Sequence, residues 1–407
     1  MAVSADLYEL SVNEDDAQCV KDHFEARGYT GLEEVLRRRR DQWVDVPIHV
    51  AVFGSSGAGK SSFINVIRGL KETDKNGAEL NIGQTTIEPI PYSHPNKHYL
   101  KFWDLPQLGS RAFSKDIYLK NANIDKYDYF LIFTKSKFTA DDFWFANQLQ
   151  TMNKKFYFVC THMDLVIDKA LKEHLNEDQR EVKIRVLTAI RDRLLKSVKE
   201  EKIKADYIYL ITTSDVRKYD FPRLAHRLVI DLQDRKWEAM ALTLKVFAED
   251  VIKQKRRALQ KRVWIIALLS GLENACHYYG LQHDVDIEPV LEEAQEYRRQ
   301  FCLDEASIYR LARSIDTTVE NLKKASSFKT NYSQLEDRGL IQQYKTLSVY
   351  NDVSDGITKS FAPILGNLVG GNSSFGATYF VLNRLLDTME TDALRMIEYV
   401  KYRGAEL

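Results

Sequence analysis

One short segment, GSSGAGKS at residues 54–61, constrains this chain more than any other feature. It fits the pattern G-x-x-x-x-G-K-[ST], it follows the apolar run IHVAVF, and it precedes SFINVIRGL, which has the periodicity of an amphipathic helix. A strand, a glycine-rich turn and a helix N-terminus in this order place backbone N–H groups around a phosphate. The sequence therefore predicts a P-loop that binds a nucleoside phosphate.

Each residue type in this loop has a chemical task. Glycines at 54, 57 and 59 let the backbone turn tightly, so that consecutive N–H groups face phosphate oxygens. Lys60 is expected to neutralise charge on the β- and γ-phosphates, and the Ser61 hydroxyl is expected to coordinate Mg²⁺. The loop residues expected to contact the nucleotide are Gly54, Ser55, Gly57, Ala58, Gly59, Lys60, Ser61 and Ser62.

Two later strand ends indicate which base is bound. The apolar run KFYFVC leads into THMD at 161–164, close to the guanine motif [NT]-K-x-D, with His162 in place of lysine. Guanine presents two adjacent N–H donors that one ionised carboxylate accepts together, so Asp164 is the expected base-reading residue. An aspartate that merely caps the following helix is the alternative interpretation of Asp164. The residues expected at the base are Thr161, His162, Asp164, Thr212 and Thr213. Thr212 ends the run DYIYLIT, and with Thr213 and Ser214 it forms a segment suited to backbone contacts with the base oxygen.

Two further segments concern the γ-phosphate and Mg²⁺. The run YLKFW is followed by DLPQ at 104–107, which is close to the motif D-x-x-G. In that motif the aspartate supports Mg²⁺ through water, and the glycine N–H contacts the γ-phosphate. Asp104 is in place, but Gln107 stands where glycine is expected. In the polar stretch NIGQTTIEPIP, we favour Thr86 over Thr85 as the hydroxyl that senses both ligands. The expected catalytic residues are Lys60, Ser61, Thr86 and Asp104, and the last three are also the expected metal ligands.

Short apolar runs alternate with polar helical stretches through the middle of the chain. These runs, rich in aromatic and β-branched residues, occupy 48–53, 99–103, 127–133, 155–160 and 206–212. Such an alternation is typical of an α/β fold with a mainly parallel sheet. After about residue 236 the chain shows only helical periodicity. We therefore expect an N-terminal helical segment at 1–45, a P-loop domain at 46–235 and a C-terminal helical domain at 236–407.

Charge and composition disfavour several other functions. Lys plus Arg number 58 and Asp plus Glu number 58, so no overall positive field exists to attract nucleic acid. The four cysteines lack the spacing of a zinc site or a disulfide framework. The N-terminus MAVSADLYEL does not have the pattern of a signal peptide, and Ala2 occupies the position that N-myristoylation requires as glycine. These features predict a cytoplasmic protein that binds no nucleic acid.

Two segments leave membrane contact open. The run Arg37–Arg40 is consistent with a solvated helix face or with contact to anionic lipid or phosphate. The stretch 360–383 carries no charge, but glycines and polar residues interrupt it. A buried helical hairpin is the favoured interpretation of this stretch, and direct membrane contact is the alternative, because glycine and asparagine leave polar groups poorly satisfied in lipid.

Taken together, these motifs resemble the immunity-related GTPases, an interferon-inducible family. The resemblance rests on blocks in family order and spacing, and it covers roughly residues 45 to 400. These blocks are GAGKSSFINVIRGL, PYSHPN, FWDLP, YDYFLI, KKFYFV, KYDFPRL, FCLDEASIYRLA and SFGATYFVL. With Lys60, the chain resembles the subgroup of this family that keeps lysine in the P-loop.

The resemblance implies a Ras-like G domain with a helical domain built from the N- and C-terminal helices. It further implies a cytosolic, slowly hydrolysing GTPase of innate defence that binds GTP, GDP and, through the P-loop chemistry above, Mg²⁺. Such a protein is expected to act at internal or pathogen-containing vacuolar membranes. It is also expected to assemble through its nucleotide face as a GTP-dependent homodimer, or with related family GTPases.

Departures from the family pattern keep two other interpretations open. Because of Gln107 and His162, the chain is alternatively a regulatory protein that binds nucleotide with little or no hydrolysis. A third interpretation is a P-loop protein that uses ATP.

Overall fold

The structure is a computed structural model that describes residues 14–41, 46–71, 73–74, 77–78, 88–95, 97–108, 115–233, 235–244, 248–278, 288–330, 364 and 371–406. Contacts along the chain separate two units. One unit is Val44–Val251, and the other combines Met1–Trp43 with Ile252–Leu407. We call them the sheet unit and the helical unit.

The sheet unit contains a six-stranded sheet in the order β2-β3-β1-β4-β5-β6. Its strands are β1 (Ile48–Gly54), β2 (Ile90–His94), β3 (Lys97–Asp104), β4 (Tyr129–Thr134), β5 (Phe156–Cys160) and β6 (Ile208–Leu210). β2 pairs with β3 in antiparallel orientation, and all other neighbouring strands are parallel. This topology confirms the expected α/β fold with a parallel-dominated sheet.

The pairing of the strands brings together the strand ends that carry the predicted motifs. In β1, Val52 lies opposite Asp104 of β3, and Gly54 lies opposite Phe133 of β4. Since the strands run parallel, the carboxyl ends of β1, β3, β4 and β5 share one edge of the sheet. Ligands of open α/β sheets bind at this edge.

Helices follow most of the strands and make up much of the rest of the described chain. Two helices of the helical unit come first, α1 (Glu14–Arg27) and α2 (Leu32–Asp41). The helices that lie wholly within the sheet unit are α3 (Lys60–Ile67), α4 (Lys115–Ala122), α5 (Ala140–Thr151), α6 (Met163–Glu173), α7 (Gln179–Glu200), α8 (Phe221–Ile230) and α9 (Lys236–Thr243). They are followed by α10 (Glu249–Tyr278), α11 (Glu288–Gln300), α12 (Glu305–Ser314), α13 (Val319–Ala325) and α14 (Gly371–Glu406).

Aromatic side chains form much of the core beneath the sheet. The Phe53 and Phe145 rings lie 4.3 Å apart, which fixes α5 against β1. Burying aromatic rings contributes a large share of core stability. α5 begins with a capping box in which Thr139 accepts from the N–H of Asp142 and Asp142 accepts from the N–H of Thr139.

The helical unit joins the two ends of the chain, as the resemblance implies. Trp264, Tyr297 and Phe375 are fully buried in it. A buried ion pair links α10 and α11, with Arg262 Nη2 lying 2.8 Å from Glu293 Oε2. Burial raises the pKa of Glu293, and the Arg262 guanidinium opposes that shift.

The arginines at 37–40 lie in α2 and contact acidic side chains of the same unit. Arg37 Nε donates to Glu33 Oε1 over 2.8 Å, and Arg39 Nη1 donates to Asp16 Oδ1 over 2.8 Å. These ion pairs are consistent with the interpretation of this run as a solvated helix face.

Of the uncharged stretch 360–383, only Ile364 and residues 371–383 are described. Residues 371–383 begin α14, where Phe375 and Asn383 are buried. In the part of the chain that the structure describes, no helix combines the length and the apolarity that crossing a bilayer requires.

Candidate nucleotide-binding site

The predicted P-loop connects the end of β1 to the start of α3. Gly54 has φ 142°, and a Cβ there would lie 2.3 Å from the Phe133 carbonyl oxygen, so the close approach to β4 excludes a side chain. Gly59 has φ 84°, and its Cβ would lie 3.2 Å from Thr161 Oγ1 and 3.4 Å from His162 Cε1. The loop is therefore closely packed against the ends of β4 and β5.

The start of α3 has the features of an anion site. Gly59 occupies the N-cap and brings no capping side chain, while Ser61 and Ser62 lie in the first turn and are partly exposed. The Ala58 N–H donates to the Ser55 carbonyl over 3.2 Å, which tightens the loop. N–H groups at the start of a helix favour negative charge nearby.

Lys60 folds back over the loop that precedes it. Its Nζ donates to the Gly54 carbonyl over 2.8 Å and to the Ser55 carbonyl over 3.3 Å, and it lies 3.9 Å from Asp104 Oδ1. Burial lowers the pKa of Lys60, and Asp104 opposes that shift. The fold thus brings together two motif residues that lie far apart in the sequence.

Asp104 ends β3 with one carboxylate oxygen buried. Among the described residues, Oδ1 has no hydrogen-bond partner, and burial raises the pKa of Asp104 against the opposing charge of Lys60. A buried acceptor without a donor is costly, and the water shell of a magnesium ion supplies donors. Asp104 and the Ser61 hydroxyl therefore fit the chemistry of a Mg²⁺ site. Thr85 and Thr86 lie outside the described residues.

Thr161 lies between the phosphate loop and the base side of the candidate site. Its side chain is buried, and Oγ1 donates to the Ala58 carbonyl over 2.9 Å. Oγ1 also lies 2.7 Å from His162 Nδ1. His162 precedes α6 with φ 61°, a left-handed conformation. Burial lowers the pKa of His162, the charge of Lys135 lowers it further, and Asp164 opposes both effects.

Asp164 lies in the first turn of α6, whose N-cap is His162. Ser214 Oγ donates to Asp164 Oδ2 over 2.8 Å. Burial acts to raise the pKa of Asp164, but hydrogen bonds from Ser214 and Thr212 outweigh burial and hold it below the usual value. Thr212 is buried beyond the end of β6, and Thr213 follows it with partial exposure. Asp164 is therefore an ionised acceptor at neutral pH.

The DLPQ segment begins at the end of β3, and the Leu105 N–H still donates to the Val52 carbonyl of β1 over 2.9 Å. Tyr118 of α4 donates its hydroxyl to the Pro106 carbonyl over 2.8 Å, and Leu105 is buried. Gln107 and Leu108 follow with partial exposure. The segment is therefore anchored to α4 immediately before Gln107.

The sequence did not predict Asp142 as a residue near the site, and it did not predict the side-chain contact that Ser214 makes. Asp142 is buried at the start of α5, and its charge acts on Lys60. Its sequence signal, T-x-x-D at 139–142, indicates a helix cap rather than a site. Ser214 follows the predicted pair Thr212 and Thr213, and only the fold shows that its hydroxyl contacts Asp164.

Comparisons with known proteins give a consistent result. The profile described as interferon-inducible GTPase matches residues 32–398. Interferon-inducible GTPase 1 of Mus musculus is 31% identical over 362 residues, which cover 88% of this chain and 83% of that protein. Interferon-inducible GTPase 5 of Bos taurus is 31% identical over 355 residues, covering 86% of this chain and 74% of that protein. T-cell-specific guanine nucleotide triphosphate-binding protein 2 of Mus musculus is 29% identical over 366 residues, covering 90% and 84%.

Proposed function

This chain belongs to the interferon-inducible GTPase family and is a GTPase of the immunity-related type, and we propose that it binds GTP and GDP with Mg²⁺, hydrolyses GTP slowly and assembles through its nucleotide face. The observation that carries the proposal is the position of Lys60, held by two loop carbonyls 3.9 Å from Asp104. This lysine can exchange its carbonyl contacts for phosphate oxygens without leaving the loop.

The phosphate side of the site works through placed charge. Lys60 binds phosphate oxygens in a partly desolvated setting, where Coulomb attraction is stronger than in water. Ser61 and, through water, Asp104 would hold Mg²⁺, which when bound neutralises charge that develops on the phosphates. Thr86 completes this proposed set. The remaining loop residues orient the phosphates through their backbone N–H groups.

The base side selects guanine through Asp164. Its lowered pKa keeps the carboxylate ionised, so it accepts both N–H groups on one edge of guanine. Adenine presents a different donor pattern and would leave that carboxylate unsatisfied, which is a strong basis for discrimination. Thr161, His162, Thr212 and Thr213 line this side of the proposed site.

Slow turnover follows from the DLPQ segment. Leu108 follows Gln107 and has no polar group to align an attacking water. A second G domain, from another copy or a related family GTPase, would then supply the missing stabilisation. We propose that this assembly occurs in the cytoplasm and at internal or vacuolar membranes in innate defence. For the domains we propose an N-terminal helical segment at 1–45, a P-loop domain at 46–235 and a C-terminal helical domain at 236–407.

Gln107 favours a second candidate function, a regulatory protein that binds nucleotide with little hydrolysis. Its side chain stands where the family motif has glycine, next to the segment anchored by Tyr118. The variant Gln107→Gly tests this candidate. A marked rise in GTP turnover supports it, and unchanged turnover counts against it.

Titration of the full chain with GDP, GTP and ATP in the presence of Mg²⁺ tests the main proposal. We expect tight binding of both guanine nucleotides and at least tenfold weaker binding of ATP. A tenfold ratio of affinities corresponds to a difference of about 1.4 kcal/mol in binding free energy. Folded protein that takes up neither GDP nor GTP would overturn the proposal. Preference for ATP would overturn the role of Asp164.

A further inference from the structure

The pair Thr161 and His162 connects the two halves of the site through one hydroxyl group. Thr161 Oγ1 lies 2.9 Å from the Ala58 carbonyl oxygen, 3.4 Å from the Thr134 carbonyl oxygen and 2.7 Å from His162 Nδ1. The Thr161 residue is 1% exposed, so these contacts lie within the protein. The directions of these hydrogen bonds determine the protonation of the histidine.

A threonine hydroxyl carries one proton, whereas a carbonyl oxygen only accepts. The Thr161 proton therefore goes to the Ala58 carbonyl, the nearer of the two oxygens, because otherwise two acceptor oxygens would lie 2.9 Å apart. The short contact to His162 must then use a proton on Nδ1. Neutral imidazole has one N–H, so its Nε2 remains an acceptor.

We propose that His162, as the Nδ1–H tautomer, is a positioning residue that holds the phosphate loop in its nucleotide-binding shape through Thr161 and the Ala58 carbonyl. This inference rests on the proposed function, because it assigns a task within that same site. In this series of hydrogen bonds, His162 Nδ1–H donates to Thr161 Oγ1, and the Thr161 hydroxyl donates to the Ala58 carbonyl. It ties the end of β5 to the loop before α3.

Peptide geometry explains how this chain acts on phosphate. The C=O and N–H groups of a trans peptide point in opposite directions. Fixing the Ala58 carbonyl toward Thr161 therefore fixes the Gly59 N–H on the other side of the same plane. Gly59 precedes α3, and its N–H is one of the groups expected to face phosphate. The two hydrogen bonds therefore orient the Gly59 N–H, which is expected to donate to phosphate.

The surroundings of the ring support its neutral form. The facing groups are the charge of Lys135 after β4, the carboxylate of Asp164 in α6 and the hydroxyl of Thr161 after β5. Burial is the largest effect and lowers the pKa of His162. Lysine, the residue of the family motif, carries donors only and has no acceptor to offer. Histidine at this position therefore brings both a donor and an acceptor.

The tautomer is measurable in the nucleotide-free full chain by NMR with ¹⁵N-labelled histidine. We expect Nδ1–H for His162. His49 is an internal control, because Trp103 Nε1 donates to its Nδ1 over 2.9 Å and so requires the opposite tautomer. The variants His162→Asn and His49→Gln assign the two signals. A His162 signal of the Nε2–H form, or of the charged ring, at neutral pH would overturn the inference.

GDP titration tests the positioning role. In His162→Leu the donor is lost, and we expect affinity to fall about fivefold, the effect of one neutral hydrogen bond. His162→Asn keeps an N–H near the same place and tolerates the left-handed backbone, so it should recover most of that loss. Thr161→Val should weaken binding similarly, and combining it with His162→Leu should add little, because both break one chain.

Equal losses in His162→Asn and His162→Leu would overturn the positioning role, and so would additive losses in the double variant. In either case wild-type GDP binding leaves the proposed function standing. Absence of GDP binding by the folded wild type would overturn both. Circular dichroism of each variant separates loss of fold from loss of position.

Discussion

Asp164 is the residue on which the proposed base selection depends, and hydrogen bonds, including those from Ser214 and Thr212, hold its pKa below the usual value despite burial. The variant Asp164→Asn replaces one acceptor oxygen with an N–H donor, which opposes a guanine N–H. We expect GTP affinity to fall by about tenfold or more, since an unpaired buried donor costs about 1–3 kcal/mol. Competition between GTP and xanthosine triphosphate measures the change, because xanthine carries a carbonyl where guanine carries an amino group.

Ser214→Ala is a milder companion to that variant. It removes a hydroxyl that donates to Asp164 but leaves the carboxylate in place. GTP affinity should change much less than in Asp164→Asn. Equal losses in the two variants would indicate that Asp164 only caps α6 and does not read the base.

The lowered pKa values of His49 and His162 predict how the free energy of unfolding depends on pH. Burial lowers the pKa of both His49 and His162 below 6.5, so the unfolded chain binds more protons than the folded chain just below that pH. Their contribution is therefore complete above about pH 6.5 and is lost as the pH falls toward the folded pKa values. Urea unfolding at pH 7.5 and 5.5 measures this slope. The double variant His49→Gln with His162→Asn should show a smaller loss on acidification, and an unchanged slope would contradict the assignment.

At the scale of elements, the P-loop glycines differ in how much space surrounds them. A Cβ on Gly57 meets nothing within 4 Å, one on Gly59 meets Thr161 at 3.2 Å, and one on Gly54 meets a carbonyl oxygen at 2.3 Å. Gly57→Ala should cost about 1–2 kcal/mol from its left-handed backbone alone, which makes it the control for Gly59→Ala. Denaturation and GDP titration should rank the losses as Gly54→Ala, then Gly59→Ala, then Gly57→Ala. Any other order would contradict the packing described for this loop.

Most strands could be predicted from the sequence because burial on both faces makes them continuously apolar. The runs at 48–53 and 155–160 differ from β1 and β5 by a residue at one end. β2 was missed, since IPYSH at the edge of the sheet mixes polar residues with proline and gives no clear apolar run. The effect of Asp142 on Lys60 and the contact of Ser214 with Asp164 could not be predicted either, because they depend on which loops the parallel strands bring together.

At the scale of the whole molecule, sequence order and spatial grouping differ. Both chain ends contribute to the helical unit, whereas every described residue of the proposed site lies within Val44–Val251. The P-loop could be recognised from eight consecutive letters, 54–61. The helical unit offers no comparable motif, because its helices are defined by apolar faces that many partners could cover. Its grouping of distant segments followed from the family resemblance rather than from periodicity.

The proposed assembly through the nucleotide face predicts how GTP turnover depends on protein concentration. Leu108, which follows Gln107, has no polar group to align an attacking water, so we expect hydrolysis to depend on a second G domain. The fraction of paired subunits rises with protein concentration. GTP turnover per subunit should therefore increase severalfold over a hundredfold range of protein concentration, until pairing saturates. GDP affinity over the same range should stay constant, since one subunit contains the proposed binding residues. Constant turnover per subunit at every concentration would exclude activation by pairing while leaving nucleotide binding intact.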